Sequence, residues 1–179
     1  MDNKRRIVIY HSYSGHTKMI ANIIKKKLDC DVLELEPKYE FSSDYDEVVK
    51  EYQNNEKDKS TVEIKDININ LDNYDEIIIG SPVWWYRPCP AIRAFLTKYD
   101  LSNKTIIPFA TNAGWLGRTF VEIKKLCPNS NVINEKNIVF ESYSSNLVTS
   151  TDEINDWINK LQKISILKQI IINLSFIVL

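Results

Sequence analysis

Arg6-Ile-Val-Ile-Tyr10, followed by His11-Ser-Tyr-Ser-Gly-His-Thr17 and Lys18-Met-Ile-Ala-Asn-Ile-Ile24, decides how the rest of the chain is read. The first segment is an apolar run rich in β-branched residues, the pattern of a buried strand. From Gly15 to Leu28 the residues Met19, Ile20, Ile23, Ile24 and Leu28 share one helical face, so a helix is expected there. The loop between them carries hydroxyls at Ser12, Ser14 and Thr17 and a glycine at Gly15, and it opens onto the helix N-terminus. Amides in a first turn lack intrahelical acceptors and the helix dipole is positive there, so amides and hydroxyls together suit a phosphate dianion without a lysine. Gly15 lets the backbone approach such a group closely, or take a turn that a side chain disfavours. A single serine in this place is ordinarily a helix cap. The clustering of hydroxyls after a first strand is what points to phosphate. Neither G-x-x-x-x-G-K-[ST] nor G-x-G-x-x-G follows the strand, so nucleotide hydrolysis and Rossmann-type NAD binding lose their main warrant.

Working outward, Asp31-Val-Leu-Glu-Leu-Glu36 alternates apolar and acidic residues, as an outer strand does. Tyr45 to Glu56 reads as an amphipathic helix, and Asn54 to Lys59 as an exposed, charged loop. Tyr74-Asp-Glu-Ile-Ile-Ile-Gly80 is a second buried strand, and Ser81-Pro-Val-Trp-Trp-Tyr-Arg-Pro-Cys-Pro90 reads as the loop before a helix from Ala91 to Tyr99. Lys104 to Ala110 is a strand in which Pro108 removes a ladder hydrogen bond, so a bulge or strand end is expected at that residue. A loop over Thr111 to Gly117, a helix over Arg118 to Leu126, a strand over Asn137 to Ser142 and a helix over Thr151 to Ile164 complete the pattern. Strands alternating with helices predict βαβ units and a parallel sheet covered on both faces. Ligands of such sheets sit beyond the carboxyl ends of the strands, where the loops after the first, third and fourth strands meet.

The length of 179 residues suits one domain, and 44% hydrophobic residues suffice for a full core. A net charge of −1 gives no basic excess for nucleic acid. Cys30, Cys89 and Cys127 are widely spaced, and with only 2 histidines to assist them neither a disulfide framework nor a metal site is expected. Reduced thiols in a cytoplasmic protein are the simplest account. Met1 to Arg6 is polar and carries no signal-peptide pattern. The stretch Ser165 to Leu179 is apolar but shorter than the roughly 20 residues that span a bilayer. A packed extension, a partner-binding segment and a loose end are all open for it.

Trp84, Trp85 and Tyr86 at a loop apex expose apolar surface unless a ligand covers them, and a planar ligand suits them. In Thr111-Asn112-Ala113-Gly114-Trp115-Leu116-Gly117, open amides and the Asn112 side chain suit a ring edge of carbonyls and nitrogens. Trp115 is either a second stacking face or a cover.

Taken together, Ser12-Tyr-Ser-Gly-His-Thr17, Ile79-Gly-Ser-Pro-Val-Trp-Trp85 with Pro88 and Pro90 after it, and Pro108-Phe-Ala-Thr-Asn-Ala-Gly114 resemble the FMN-binding loops of the flavodoxin family. The likeness is greatest to a short, single-domain branch with a Pro-x-Trp-Trp loop, and it covers roughly residues 5 to 163. The resemblance implies a flavodoxin-like three-layer α/β/α sandwich with a five-stranded parallel sheet in the order 2-1-3-4-5. It implies FMN at the strand ends, with phosphate on Ser12, Ser14, Gly15, His16 and Thr17. The isoalloxazine ring would then lie against Pro82, Val83, Trp84, Trp85 and Tyr86 and against Thr111, Asn112, Ala113 and Gly114. Two positions depart from the family pattern: His16 stands where asparagine is usual and adds a possible pH dependence, and Ala113 stands where glycine or a small polar residue is frequent. Residues 1–164 would form the FMN-binding domain, with 165–179 outside the resemblance.

The resemblance implies a cytoplasmic electron carrier that shuttles electrons between redox partner proteins or to a small-molecule acceptor, with no nucleic acid and no transmembrane segment. An FMN-dependent NAD(P)H:quinone or nitro-compound reductase is the alternative. Arg87 beside the aromatic residues favours it, because a guanidinium near the ring's N1 and O2 edge would stabilise the reduced anion and hence two-electron chemistry. A third reading is an FMN-free module that binds protein through its tryptophans. The motifs of receiver domains, of C-x5-R phosphatases and of G-x-S-x-G hydrolases are absent.

Overall fold

The computed structural model of the chain describes residues 5–44, 46–48, 50 and 62–162. Of the helix expected over Tyr45 to Glu56, residues 46–48 and 50 are described and are helical. The charged run at Asn54 to Lys59 and the apolar stretch from Ser165 lie outside the described residues.

The opening stretch folds as its pattern dictates: β1 covers Arg6–Tyr10 and α1 covers His16–Leu28. In β1 the side chains alternate between two separate cores, Ile7 and Ile9 in one and Val8 and Tyr10 in the other. A strand buried on both faces needs apolar residues throughout, which is why the run is continuous rather than alternating. The buried face of α1 carries Thr17, Ile20, Ala21 and Ile24, so the expected face is rotated. Met19, expected inside, is 37% exposed because it lies about 100° around the helix from Ile20.

After β2 (Asp31–Glu34) the chain enters β3 (Glu76–Trp84), turns into β4 (Arg87–Pro88), and continues through α2 (Pro90–Lys98), β5 (Thr105–Asn112) and α3 (Thr119–Leu126). The short strands β6 (Asn131–Val132) and β7 (Lys136–Val139) precede α4, residues 151–162. The parallel sheet runs β2-β1-β3-β5-β6, with β7 also on β5, which is the expected flavodoxin-like order 2-1-3-4-5 with its fifth lane in two pieces. The helices α2 and α3 cover one face, and α1 and α4 cover the other. Among the described residues no helix is long and apolar enough to cross a membrane.

Pro108 explains the split lane. It does not end β5, which pairs with β3 in unbroken register from Glu76↔Thr105 to Pro82↔Thr111. The carbonyls of Ile106 and Asn112 both accept from the fifth lane, from Ile133 and Phe140, so residues of even number in β5 present their backbone polar groups to that side. Pro108 has this parity and no N–H, and its place falls between β6 on residues 105–106 and β7 on 109–112. Between β6 and β7 Asn134 takes a left-handed conformation, with φ 54°.

At the opposite edge from the strands' carboxyl ends, Arg6 donates to the Glu76 carboxylate at 3.0 and 2.5 Å and to the Leu161 carbonyl at 3.3 Å, tying α4 to the centre of the sheet. Glu76 is 2% exposed, so loss of its cationic partner would strand a buried charge.

Candidate functional site

Three chain segments converge at the carboxyl edge. In the first, Gly15 is the N-cap of α1 with φ 89°, a left-handed conformation that side chains rarely adopt, and a Cβ added there would meet nothing within 4 Å. The glycine is needed for its backbone and faces open space. The Ser12 hydroxyl accepts from the Lys18 amide at 3.1 Å, so it satisfies one of the free amides in the first turn of α1. Thr17 is buried and its hydroxyl shares a 2.8 Å hydrogen bond with the Thr111 hydroxyl, joining the loop to the end of β5. Ser14 stays exposed with its hydroxyl 3.2 Å from His16 Nδ1, and the His16 ring stacks flat on Phe140 at 4.1 Å. Thus Ser14, Gly15 and His16 face the cleft or open space, whereas the hydroxyls of Ser12 and Thr17 are engaged within the fold.

The second segment differs most from expectation. Ser81 to Trp84 is not a loop but the continuation of β3, and Trp84 pairs with Arg87 of β4. The turn is therefore two residues, Trp85 and Tyr86, with φ 47° and 64°. Positive φ at both central residues is the type I′ hairpin, which ordinarily takes Asn-Gly or Gly-Gly. Placing two aromatic L-residues there costs roughly 1–2 kcal/mol each, so the surroundings must hold the turn in place. Sequence reasoning could not see this, because the composition of the turn argues against its conformation.

Trp84 is packed among Phe41 at 4.7 Å, Tyr13 at 5.4 Å and Trp85 at 5.7 Å between ring centroids. The Tyr13 hydroxyl donates to the Ser42 carbonyl at 2.8 Å, which fixes this aromatic wall. Arg87, which follows the aromatic residues in sequence, pairs with Glu122 of α3 at 3.1 Å and is not among the residues that line the clefts. Cys89 is fully buried at the N-cap of α2, and burial pushes its thiol up to about 11, so it is a packing residue and not a nucleophile.

In the third segment β5 runs through Thr111 and Asn112, so the loop is shorter than expected and begins at Ala113. The Asn112 side chain donates to Asn137 at 2.6 Å and accepts from the Gly114 amide at 2.8 Å, so it shapes the loop from within. Gly114 has φ 115° and, like Gly15, open space where a Cβ would lie.

Two adjoining clefts, of about 450 and 580 Å³, open between these segments and share Tyr13, Val83, Trp84, Asn112 and Ala113. The smaller adds Val48, Trp85, Tyr86 and Trp115, and the larger adds Ser14, His16, Pro82, Thr111 and residues Phe140 to Ser145. Of the residues expected from sequence, Ser14, His16, Pro82, Val83, Trp84, Trp85, Tyr86, Thr111, Asn112 and Ala113 line the clefts; Ser12, Gly15, Thr17 and Gly114 do not. Sequence reasoning missed Tyr13 and the Glu141-Ser-Tyr-Ser-Ser145 segment. Its hydroxyl-rich composition just after the last strand was the available signal. Among the described lining residues there is no lysine or arginine, and Glu141 supplies the formal charge.

His11, immediately before the first segment, is 6% exposed and donates from Nδ1 to the Leu35 carbonyl at 2.9 Å. That tautomer leaves Nε2 as a bare acceptor, buried with no partner among the described residues. Burial lowers its pKa, outweighing the opposing effects of the Leu35 bond and the Glu34 charge.

The family model described as Flavodoxin matches residues 5–161. The structure of a flavoprotein in complex with FMN from Lactobacillus acidophilus NCFM is 28% identical, with a TM-score of 0.64 over 75% of this chain and 93% of that one. The apo-form of the flavoprotein from the same organism gives 26% identity and a TM-score of 0.60 over 75% and 91% of the two chains. Oxidised Flavodoxin 2 from Bacillus cereus, at 18% identity, shares the fold with a TM-score of 0.55 over 92% of this chain and 99% of that one. Comparison with curated proteins gives no match.

Proposed function

The chain belongs to the flavodoxin family, and from that premise we propose that it binds FMN at the carboxyl edge of the sheet and carries electrons between redox partners. The observation that carries this reading is a cleft walled by Tyr13, Trp84, Trp85, Tyr86 and Trp115 with no lysine or arginine among its described lining residues.

The residues present fit the cofactor. The first turn of α1 offers amides and the Ser14 hydroxyl to a phosphate, and Gly15 leaves open space in front of them. The apolar Trp84 to Tyr86 wall suits an aromatic ring, and the backbone around Ala113 and Gly114 suits its polar edge. FMN, when bound, supplies the redox chemistry. The chain's part is to set its energetics. Aromatic walls exclude water, and a lining with no lysine or arginine among its described residues offers nothing to offset negative charge on the ring, which makes a second electron harder to add than the first. Arg87, the residue that argued for two-electron chemistry, is held by Glu122 instead. In this reading residues 1–164 form the FMN-binding domain. The partners are redox proteins or a small-molecule acceptor, and the setting is cytoplasmic.

The test is an anaerobic reductive titration of the FMN-reconstituted protein followed by its visible spectrum. Two separated one-electron steps are expected. A single two-electron step would make the protein a quinone or nitro-compound reductase, and failure to bind flavin would leave a protein-binding module.

A further inference from the structure

We infer that the strained Trp85–Tyr86 turn is held from outside the cleft by a clamp formed by Gly117, the Arg118 amide and Glu122, and that this clamp sets how tightly the flavin ring is bound. The inference rests on the FMN reading above and concerns residues that do not line the cleft.

Two adjacent aromatic residues in the left-handed region do not stay there by their own preference. The contacts that fix them come from the start of α3. The Arg118 amide donates to the Tyr86 carbonyl at 2.7 Å. Gly117, with φ 57°, lies so close that a Cβ added to it would stand 2.2 Å from the Tyr86 Cβ and 2.5 Å from its Cα and carbonyl oxygen. Two of those three atoms are backbone, so a side chain at 117 cannot be accommodated by a rotamer change; the turn itself must move. One turn into the helix, Glu122 is 17% exposed and forms ion pairs with Arg87, the residue that closes the hairpin, at 3.1 Å and with Arg93 of α2 at 4.0 Å. These contacts therefore grip the carbonyl, the Cα and the flanking arginine of one turn, through residues that do not line the cleft formed in part by Trp85 and Tyr86. Gly117 and Glu122 are thus positioning residues, acting through the aromatic wall.

The experiment compares wild-type protein with Gly117→Ala and Glu122→Gln. It measures near-UV circular dichroism of the apo-proteins and the affinities for FMN and for riboflavin by quenching of flavin fluorescence. If the clamp positions the ring wall, Gly117→Ala weakens riboflavin and FMN by the same factor. That factor is expected to be about tenfold, or 1.4 kcal/mol, and the aromatic dichroism changes while the far-UV spectrum does not. Glu122→Gln keeps the volume and removes the ion pairs with Arg87 and Arg93; the Arg87 pair being partly exposed, the change should weaken both flavins by only about two- to threefold. A loss confined to FMN would put the effect in the phosphate loop and overturn the inference. So would unchanged riboflavin affinity in Gly117→Ala. Should Gly117→Ala fail to fold, Glu122→Gln decides alone, and equal flavin affinities at low salt refute the clamp. Should the wild type bind neither flavin, the FMN reading falls separately, and an aromatic dichroism unaltered by Gly117→Ala then refutes the clamp by itself.

Discussion

Replacing Gly80 by alanine tests how the centre of the sheet delivers β3 to the site. Gly80 lies in register between Tyr10 of β1 and Phe109 of β5. A methyl group there would stand 2.3 Å from Phe109 Cζ, 2.7 Å from Cε1 and 2.9 Å from the Tyr10 Cβ. Carbon atoms in contact keep about 3.5–4.0 Å, so the Phe109 ring must retreat by more than an ångström. It has little room, being fully buried with its ring centroid 6.2 Å from that of Trp157 on α4. Overpacking a well-filled core costs about 1–3 kcal/mol. A clash with a pinned ring between two paired strands belongs at the upper end, so Gly80→Ala should lose about 3 kcal/mol. In urea, with slopes of about 1–3 kcal/mol/M, the midpoint should fall by about 1 M or more at unchanged slope. The double variant Gly80→Ala with Phe109→Leu removes the clashing ring atoms, and should be more stable than the two single losses added together, by about 0.5–3 kcal/mol. A Gly80→Ala protein within 0.5 kcal/mol of wild type would refute the reasoning, since the ring would then have moved at no cost.

Thr17→Val keeps the shape of the side chain but leaves the buried Thr111 hydroxyl without its 2.8 Å partner, and should cost about 1–3 kcal/mol in urea unfolding. Adding Thr111→Val should restore part of that loss; a double variant as unstable as the sum of the singles would contradict the hydroxyl pairing. The buried His11 gives a pH dependence of definite sign. The unfolded chain takes up a proton near the ordinary 6.5 while burial keeps the folded imidazole neutral to lower pH, so the unfolded state holds more protons in that window. Stability is complete above the ordinary value and falls as pH drops below it, by up to about 1.36 kcal/mol per pH unit until the folded protein also titrates. His11→Asn retains a donor for the Leu35 carbonyl and cannot titrate, so its stability between pH 7 and 5 should fall less steeply; equal slopes in the two proteins would discard the assignment.

Much of this architecture is legible in the sequence. The β1 run and the Ile77 to Ile79 run are apolar on both faces because both faces are covered, and that pattern survives in sequence as a continuous hydrophobic stretch. Gly15 was legible because a left-handed residue ahead of a helix leaves few chemical choices. The convergence of the loops followed from chain direction alone, since all strands of a parallel sheet end on one side.

Other features were not legible, and for one shared reason: they depend on which partner a group meets. Whether the hydroxyls of Ser12 and Thr17 face a ligand or the fold was decided by Lys18 and Thr111, one of them distant along the chain. Glu122 likewise engaged Arg87, and Asn137 engaged the amide of Asn112. The extension of β3 through Pro82 to Trp84, and the turn conformation forced on Trp85 and Tyr86, arise from pairing with Arg87 and Pro88 and from packing against Gly117. By itself the sequence determined the alternating layers and the edge where the candidate site lies, because periodicity and chain direction are local properties, while the strand order was implied by the resemblance of its loops to the flavodoxin family. The tertiary structure decided which polar groups remain open to a ligand, because a hydrogen bond or an ion pair is settled by competition among groups that only folding brings within reach.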